Sequence, residues 1–236
     1  MLEFFHIILT RPLLNALIWF YNIIPGQDMG LAILALTVLV RLLLFPSFQK
    51  SLRSQKELQA LQPKLNELKQ KYKDDKEAQT RATLELYKEH KINPLSSCLP
   101  LLLQLPILIA LYQVFLVGLS GNVGHELYPF IHDPGAVNTG FFGLTDLLKP
   151  SYVFAVLAGL FQFVQSKMMV PKKSSLSGSD KTAAIMNAQM VYLMPLITVF
   201  IGIRLPAGLS LYWMATTLFA IGQQWYIMKQ GAPSSK

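Results

Sequence analysis

One arginine interrupts the most apolar part of the chain. Residues 29–48 form a run about long enough to cross 30 Å of hydrocarbon, and Arg41 is the only charged residue in it. At about 1.5 Å of rise per residue, Arg41 lies roughly 10 Å of helix from the end of the run at Phe48. A charge at the centre of a spanning helix costs ~2.5–3.5 kcal/mol on insertion scales. Arg41 could extend its side chain to the headgroups, or it could face a water-filled space enclosed by other helices.

Other apolar stretches carry uncharged polar residues that could face such a space. With Thr37 from the same run as Arg41, these candidate groove residues are Gln104, Gln162, Gln165, Gln189, Trp213, Thr216 and Thr217. Each of them alone could serve only to hold helices together. The apolar stretches contain no Asp or Glu that could neutralise Arg41. The pattern therefore favours a polar groove whose positive charge is available to an acidic segment from outside the chain.

The composition indicates an integral membrane protein. Of the 236 residues, 52% are hydrophobic and only 14% are charged, whereas about a quarter of the residues in a soluble domain are charged. The net charge of +8 would favour a nucleic-acid partner if the basic residues lay on a soluble face. Here they flank apolar runs, so we expect no direct recognition of nucleic acid.

Residues for enzyme chemistry form no recognisable pattern. The four histidines and the single cysteine lack metal-ligand spacing, and there is no glycine-rich phosphate loop or nucleophile–base pair. Cys98 has no second cysteine with which to form a disulfide, and we expect it to pack in an apolar helix. The sequence therefore predicts a protein that is not an enzyme and that has no cofactor.

Apolar runs separated by charged segments predict an all-α polytopic membrane protein with five transmembrane helices. These cover approximately residues 29–48, 94–119, 152–170, 184–203 and 207–228. The second begins at Asn93-Pro94, a cap followed by proline at the first helical position. The membrane core then comprises residues 25–48 and 92–228. A basic, Ser/Gly-rich segment at 171–182 is expected to be flexible, and 229–236 is a short polar tail.

The charged segment 49–91 predicts a helical hairpin outside the membrane. It contains eleven Lys/Arg and seven Asp/Glu. Its apolar residues recur at intervals of three or four, the spacing of one helical face; they are Leu58, Leu61, Leu65, Leu68 and Tyr72, then Ala78, Ala82 and Leu86. Asp74-Asp75 marks the turn and can cap the second helix. We expect the hairpin to be mobile and required for function; the alternative is a passive solvated appendage.

The N-terminal segment 1–24 is expected to form an amphipathic helix in the membrane interface. After Pro12 its apolar run is too short to span comfortably, and Thr10 suits the cap of a helix that begins there. Trp19 and Tyr21 are residue types that favour the headgroup layer. An additional spanning helix and a signal peptide are the alternatives.

The basic residues are distributed unevenly around the five predicted spans. If the C-terminal tail is inside, segments 49–91, 167–181 and 229–236 together hold seventeen of the 21 Lys/Arg. Outside there remain only Arg11, Lys149 and Arg204. Because cytoplasmic segments are enriched in Lys and Arg, the predicted orientation is N-out and C-in, with the loop 120–150 outside.

Short motifs occur in order along almost the whole chain. They are Arg41 with LLLFP at 42–46, LQPK at 61–64, LYKE at 86–89, NPLSSCLP at 93–100, PAGL at 206–209 and LYW at 211–213. In this combination they closely resemble the YidC/Oxa/Alb family of membrane protein insertases. The family pattern usually has Gly before Cys-Leu-Pro, where this chain has Ser97. That difference concerns helix packing and hardly affects the function.

The resemblance implies a five-helix core with a hydrophilic groove that opens to the cytoplasm and to lipid. The family arginine corresponds to Arg41. The implied function is a membrane protein insertase and chaperone in the bacterial plasma (inner) membrane. Its implied partners are nascent membrane proteins and membrane lipids, with the ribosome and the Sec translocon as further candidates.

Two other function classes fit the sequence less well. A small-molecule or anion transporter could use Arg41 as its binding charge, but the chain lacks the paired repeats with broken helices that are common in transporters. An intramembrane enzyme is disfavoured because the predicted spans contain no Asp, Glu or His to act as a base.

Overall fold

The computed structural model describes residues 2–90, 92–93, 99–118, 123–170 and 188–229, and these are mostly helical. Several sequence expectations fall outside the described residues. They are the proline of the Asn93-Pro94 cap, the packing of Cys98, the basic segment 171–182, the start of the span predicted at 184–203, and all of the tail beyond Lys229.

The N-terminal segment is helical without interruption. Helix α1 (Leu2–Phe5) continues through a π-helical stretch (His6–Thr10) into α2 (Arg11–Ile23). Thr10 has helical backbone angles and does not cap the helix; its hydroxyl donates instead to Oε1 of Gln113 at 2.9 Å. The predicted cap was therefore wrong. The helix as a whole is longer than the run after Pro12, since Glu3–Ile23 has 21 residues and is apolar enough to cross a membrane; its length alone does not distinguish an interfacial helix from a spanning one.

A sharp bend separates the next two helices. Helix α3 (Met29–Leu43) begins after Asp28, whose Oδ1 accepts the Leu31 N–H at 3.0 Å. Helix α4 (Phe45–Lys71) follows Leu44 at an angle of 65°. The sequence predicted one helix as far as Phe48, but Pro46 would clash with a carbonyl in a continuing helix. In the structure Pro46 lies in the first turn of α4, where its missing N–H costs nothing.

Helix α5 (Lys76–Glu89) packs against α4 through a small apolar cluster. Asp75 caps α5, since its Oδ1 accepts the N–H groups of Glu77 at 3.1 Å and Ala78 at 2.9 Å. The cap predicted at this turn is confirmed. The cluster consists of Leu61, Leu65 and Ile92 with Leu58, Leu86 and Tyr87 packed around them.

The remaining helices complete an all-α membrane protein. They are α6 (Leu99–Gly118), α7 (Tyr152–Met169), α8 (Met194–Gly202), which is preceded by a π-helical turn (Gln189–Leu193), and α9 (Ala207–Lys229). In the described part of the chain, Glu3–Ile23 and Tyr152–Met169 are long and apolar enough to cross a membrane, and the bent pair α3–α4 could provide a third crossing. Leu102–Gly118 and Gln189–Gly202 are apolar but shorter.

A structured loop covers one end of the helices. Its two short strands, β1 (Gly140–Phe141) and β2 (Thr145–Asp146), pair antiparallel. The backbone carbonyls of Leu147 and Lys149 accept N–H groups from the first turn of α9, at 3.1 and 2.9 Å. The backbone N–H of Leu148 donates a hydrogen bond to the Asp146 carboxylate, and this bond is the main reason that the pKa of Asp146 is lowered. Thr139 and Lys149 lower the pKa further, so the carboxylate stays charged.

Close packing of α7 on α8 depends on a glycine. A Cβ added at Gly159 would lie 2.3 Å from Cγ2 of Val199 and 3.1 Å from the Pro195 carbonyl oxygen. Gly159→Ala should therefore reduce the free energy of unfolding by about 1–3 kcal/mol, measured by SDS titration in mixed micelles. Gly222→Ala is the matched control, because a Cβ there meets nothing within 4 Å. Equal stability of the two variants would contradict this packing.

Candidate functional site

Arg41 is buried near the bend between α3 and α4. It lies in the last turn of α3, and its side chain is only 6% exposed. Its Cζ atom stands 4.5 Å from the centre of the Phe48 ring, which belongs to the first turns of α4. The guanidinium therefore lies on an aromatic face, an arrangement that attracts a cation. The bend at Leu44 makes this possible, because it turns α4 back toward Arg41.

The charge of Arg41 has no acidic partner in the described part of the chain. No carboxylate there forms an ion pair with it, and its Nη1 atom is buried without a hydrogen-bond partner. A buried polar group normally has such a partner, since leaving one unsatisfied is costly. Water, or an acceptor group that enters the site, could therefore form the missing hydrogen bond to Nη1.

A hydrogen bond between α6 and α9 lies beside this charge. Gln104 Nε2 donates to the Tyr212 hydroxyl at 2.8 Å. Tyr212 is 3% exposed and close enough to Arg41 to interact with it electrostatically. Gln104, Tyr212 and Arg41 thus connect three helices at one polar site. Of the glutamines that the sequence singled out, the structure associates Gln104 with Arg41.

The threonines and the tryptophan divide into satisfied and unsatisfied groups. The hydroxyl of Thr37 donates to the Ile33 carbonyl at 2.7 Å, and that of Thr217 to the Trp213 carbonyl at 2.8 Å, so each is satisfied within its own helix. Trp213 itself is half-buried. Thr216, one turn beyond Tyr212 on α9, is buried, and its Oγ1 atom has no hydrogen-bond partner among the residues that the structure describes.

The glutamines of α7 and of the turn before α8 are more accessible. Gln162 and Gln165 are half-buried on α7, and Gln189 is exposed at the start of the π-helical turn. In the described ranges no hydrogen bond joins any of the three to Arg41.

Two buried glutamines of α9 were missed by the sequence reasoning. Gln223 Nε2 donates to the Phe45 carbonyl at 3.2 Å, which fixes the start of α4. Gln224 is buried with an unpartnered Oε1 atom and lines a cavity of about 30 Å³. Gln223 lies seven residues after Thr216, two helical turns along one face, and this spacing was the available signal.

The far wall of that cavity belongs to α4. Lys56 Nζ donates to the carbonyl of Ile227 at 3.3 Å, near the end of α9. Gln59 Nε2 donates to the Met169 carbonyl at the end of α7. Because the last carbonyls of a helix lack intrahelical partners, these side chains provide caps for both helices. They tie α4 to the same helix ends.

Comparison with known proteins identifies the family. Residues 19–234 match the model of the family described as 60Kd inner membrane protein. This chain belongs to that family. The resemblance inferred from the sequence motifs is therefore confirmed, and an inner-membrane family agrees with the apolar helices of the structure.

Similar proteins in two bacteria illustrate the match. A membrane protein insertase YidC of Fusobacterium nucleatum is 38% identical over 205 residues, which cover 87% of this chain and 88% of that relative. Another of the same name in Geotalea daltonii is 36% identical over 223 residues, covering 94% of this chain but 37% of the relative. The chain thus spans most of the length of the first relative and well under half of the second.

Removal of the Arg41 charge should be tolerated by the fold. Arg41→Met should change the free energy of unfolding by no more than about 1 kcal/mol, because no carboxylate in the described part of the chain loses its partner. Leu211→Ala serves as the sensitivity control: Leu211 is 0% exposed in the core, and the loss should be about 2–5 kcal/mol. SDS titration of both variants measures the effect. A loss for Arg41→Met as large as that for Leu211→Ala would indicate an undetected structural role.

Proposed function

We propose that this chain is a membrane protein insertase, which transfers nascent membrane proteins into the lipid bilayer at the polar site around Arg41. Two kinds of evidence support the proposal. The chain belongs to the 60Kd inner membrane protein family, and similar proteins bear the name membrane protein insertase. The residues around Arg41 also offer what an entering polar segment needs.

The observation that carries the proposal is the buried guanidinium of Arg41, which is 6% exposed. Among the described residues it has no acidic partner, and its buried Nη1 atom has no acceptor. In a purely structural site, an apolar residue of similar volume would be more stable than a buried charge without a partner. A transient acidic or polar segment would supply the missing acceptor and would be attracted by the charge. Water would occupy the site between clients.

The polar residues around Arg41 lower the free-energy barrier to moving that segment into the membrane. Backbone groups without hydrogen-bond partners cost several kcal/mol each in hydrocarbon. A groove containing Arg41, Thr216 and Gln104 shortens the apolar path that those groups cross. The hydrophobic part of the client then moves into lipid along α7 and α9, where the half-buried Gln162 and Gln165 lie on the α7 side. Gln189 and Trp213 belong to the outer parts of the same groove.

The proposed topology has five spans, with the N-terminus outside and the C-terminus inside. The spans correspond to α3, α6, α7, α8 with its preceding segment, and α9. Helices α4 and α5 form a cytoplasmic hairpin that receives clients, alone or with the ribosome and the Sec translocon. The positive-inside distribution of Lys and Arg supports this orientation.

The N-terminal helix is proposed to lie in the outer interface. The polar side of α2 bonds repeatedly to one loop: Arg11 Nε and Asn15 Nδ2 donate to the Glu126 carbonyl at 3.1 and 2.9 Å, and Asn22 Nδ2 donates to the His132 carbonyl at 2.7 Å. A helix that runs along a polar loop over this length fits an interfacial position better than a crossing of the bilayer.

Insertion should depend on the charge at position 41. Arg41→Ala should impair insertion, most strongly for clients with acidic translocated tails, whereas Arg41→Lys should retain much of it, because a point charge suffices where no fixed carboxylate needs a bidentate partner. The measurement is protease protection of a single-span, Sec-independent client in liposomes that contain the purified variants. A client with a neutral tail is the matched control. Normal insertion of every client by Arg41→Ala would refute the groove mechanism.

Single-cysteine labelling tests the topology. In a Cys98→Ala background, Ala136→Cys should react with a membrane-impermeant maleimide in intact cells, because residue 136 is exposed on the proposed outer loop. Asp74→Cys, exposed between α4 and α5, should react only after permeabilisation. The reverse pattern would overturn the orientation while leaving the family assignment untouched.

A further inference from the structure

An apolar tip projects from the loop at the N-terminal end of α3. The turn between β1 and β2 presents Phe142 at 63% exposure and Leu144 at 88%. Side chains of this size and type are unusual in a water-facing turn, which is normally built from Gly, Pro, Asn, Asp and Ser. The sequence predicts only an outer loop for residues 120–150, which does not account for two large exposed apolar side chains in one turn.

The tip is held rigidly in place by its neighbours. Phe141, next to it, packs on α3 so tightly that a Cβ at Gly30 would lie 2.0 Å from its Cδ2 atom. The N–H of Phe142 donates to Asp28 Oδ2 at 2.7 Å, while Oδ1 of the same carboxylate caps α3. Phe142 also has a positive φ of 51°, which is uncommon for a bulky residue. These contacts hold Phe142 and Leu144 outward, although the positive φ of Phe142 strains the backbone.

The tip lies at the level where helices enter the membrane region. Asp28 precedes α3, and the loop carbonyls of Leu147 and Lys149 bond to the first turn of α9. On the other side, the loop leads directly into α7, whose first residues Tyr152 and Val153 are 74% and 66% exposed. Helix α7 is long and apolar enough to cross a membrane. The tip is linked to this exposed start of α7, because the rings of Phe141 and Phe154 lie 5.9 Å apart.

We propose that Phe142 and Leu144 insert into the lipid leaflet at this end of the helices and anchor the loop to it. Aromatic and aliphatic side chains at this depth are stabilised by the boundary between headgroups and acyl chains. Lys149, which is 80% exposed at the base of the same loop, pairs with Asp146 at 3.4 Å. Because an exposed pair of this kind is weak, the ammonium can also meet headgroup phosphates. The occupant of the apolar surface is lipid, and the proposal does not depend on the insertase activity.

Site-directed spin labelling tests the anchor in the full chain. Leu144→Cys and Phe142→Cys, each in a Cys98→Ala background, are labelled with a nitroxide and reconstituted into phosphatidylcholine/phosphatidylglycerol vesicles. Both labels should collide more with oxygen than with a water-soluble nickel complex, at a depth of about 5–10 Å below the headgroup surface. Ala136→Cys, exposed in the same loop, is the matched control and should show the opposite preference, with a several-fold difference in the collision ratio.

Two outcomes would overturn the proposal. If the label at position 144 collides with the nickel complex as often as the label at 136, the tip faces water. If it is shielded from both reagents, a protein surface or a second copy of the chain covers the tip. Thermal unfolding of each labelled variant verifies the fold, and agreement between positions 142 and 144 guards against an effect of one substitution.

Discussion

In the described part of the chain Arg41 has no carboxylate partner, and its buried guanidinium is the constraint around which the polar site is arranged. Arg41 must remain charged, since arginine does not lose its proton in proteins. The charge lies against an aromatic face, with the Phe48 ring centre 4.5 Å from the Cζ atom. Phe48 belongs to α4, so the direction of α4 relative to α3 determines whether this contact forms.

The bend at Leu44 has two consequences for this arrangement. It ends the apolar helix soon after Arg41, so that the charge lies close to the end of α3 rather than in its middle. It also starts α4 in a direction that can be fixed by the membrane helices: Gln223 bonds to the Phe45 carbonyl, and Lys56 bonds near the end of α9. The charged helix α4 is therefore attached to α9 at both of these points.

The other end of α3 is held in place by a different kind of contact. There the contacts are steric and backbone-mediated, as in the fit of Phe141 against Gly30 and the double use of the Asp28 carboxylate. This end has a tightly packed loop, whereas the Arg41 end has unsatisfied polar atoms. The two ends of α3 therefore differ, one being tightly packed and the other carrying the buried charge.

The sequence by itself determined the membrane class and the family and singled out Arg41 as the candidate site residue, because composition, apolar run length and motif order are local properties of the chain. It also located the Asp75 cap, which depends on neighbouring residues only. The tertiary structure decided which polar residues accompany Arg41: Gln104 does so through Tyr212, whereas Gln189 is exposed. It also decided that the helix bends at Leu44 and that Thr10 bonds to Gln113 instead of capping. Such outcomes depend on contacts between residues far apart in the chain, and the spacing of residues along a helix does not encode which neighbouring helix each face will meet.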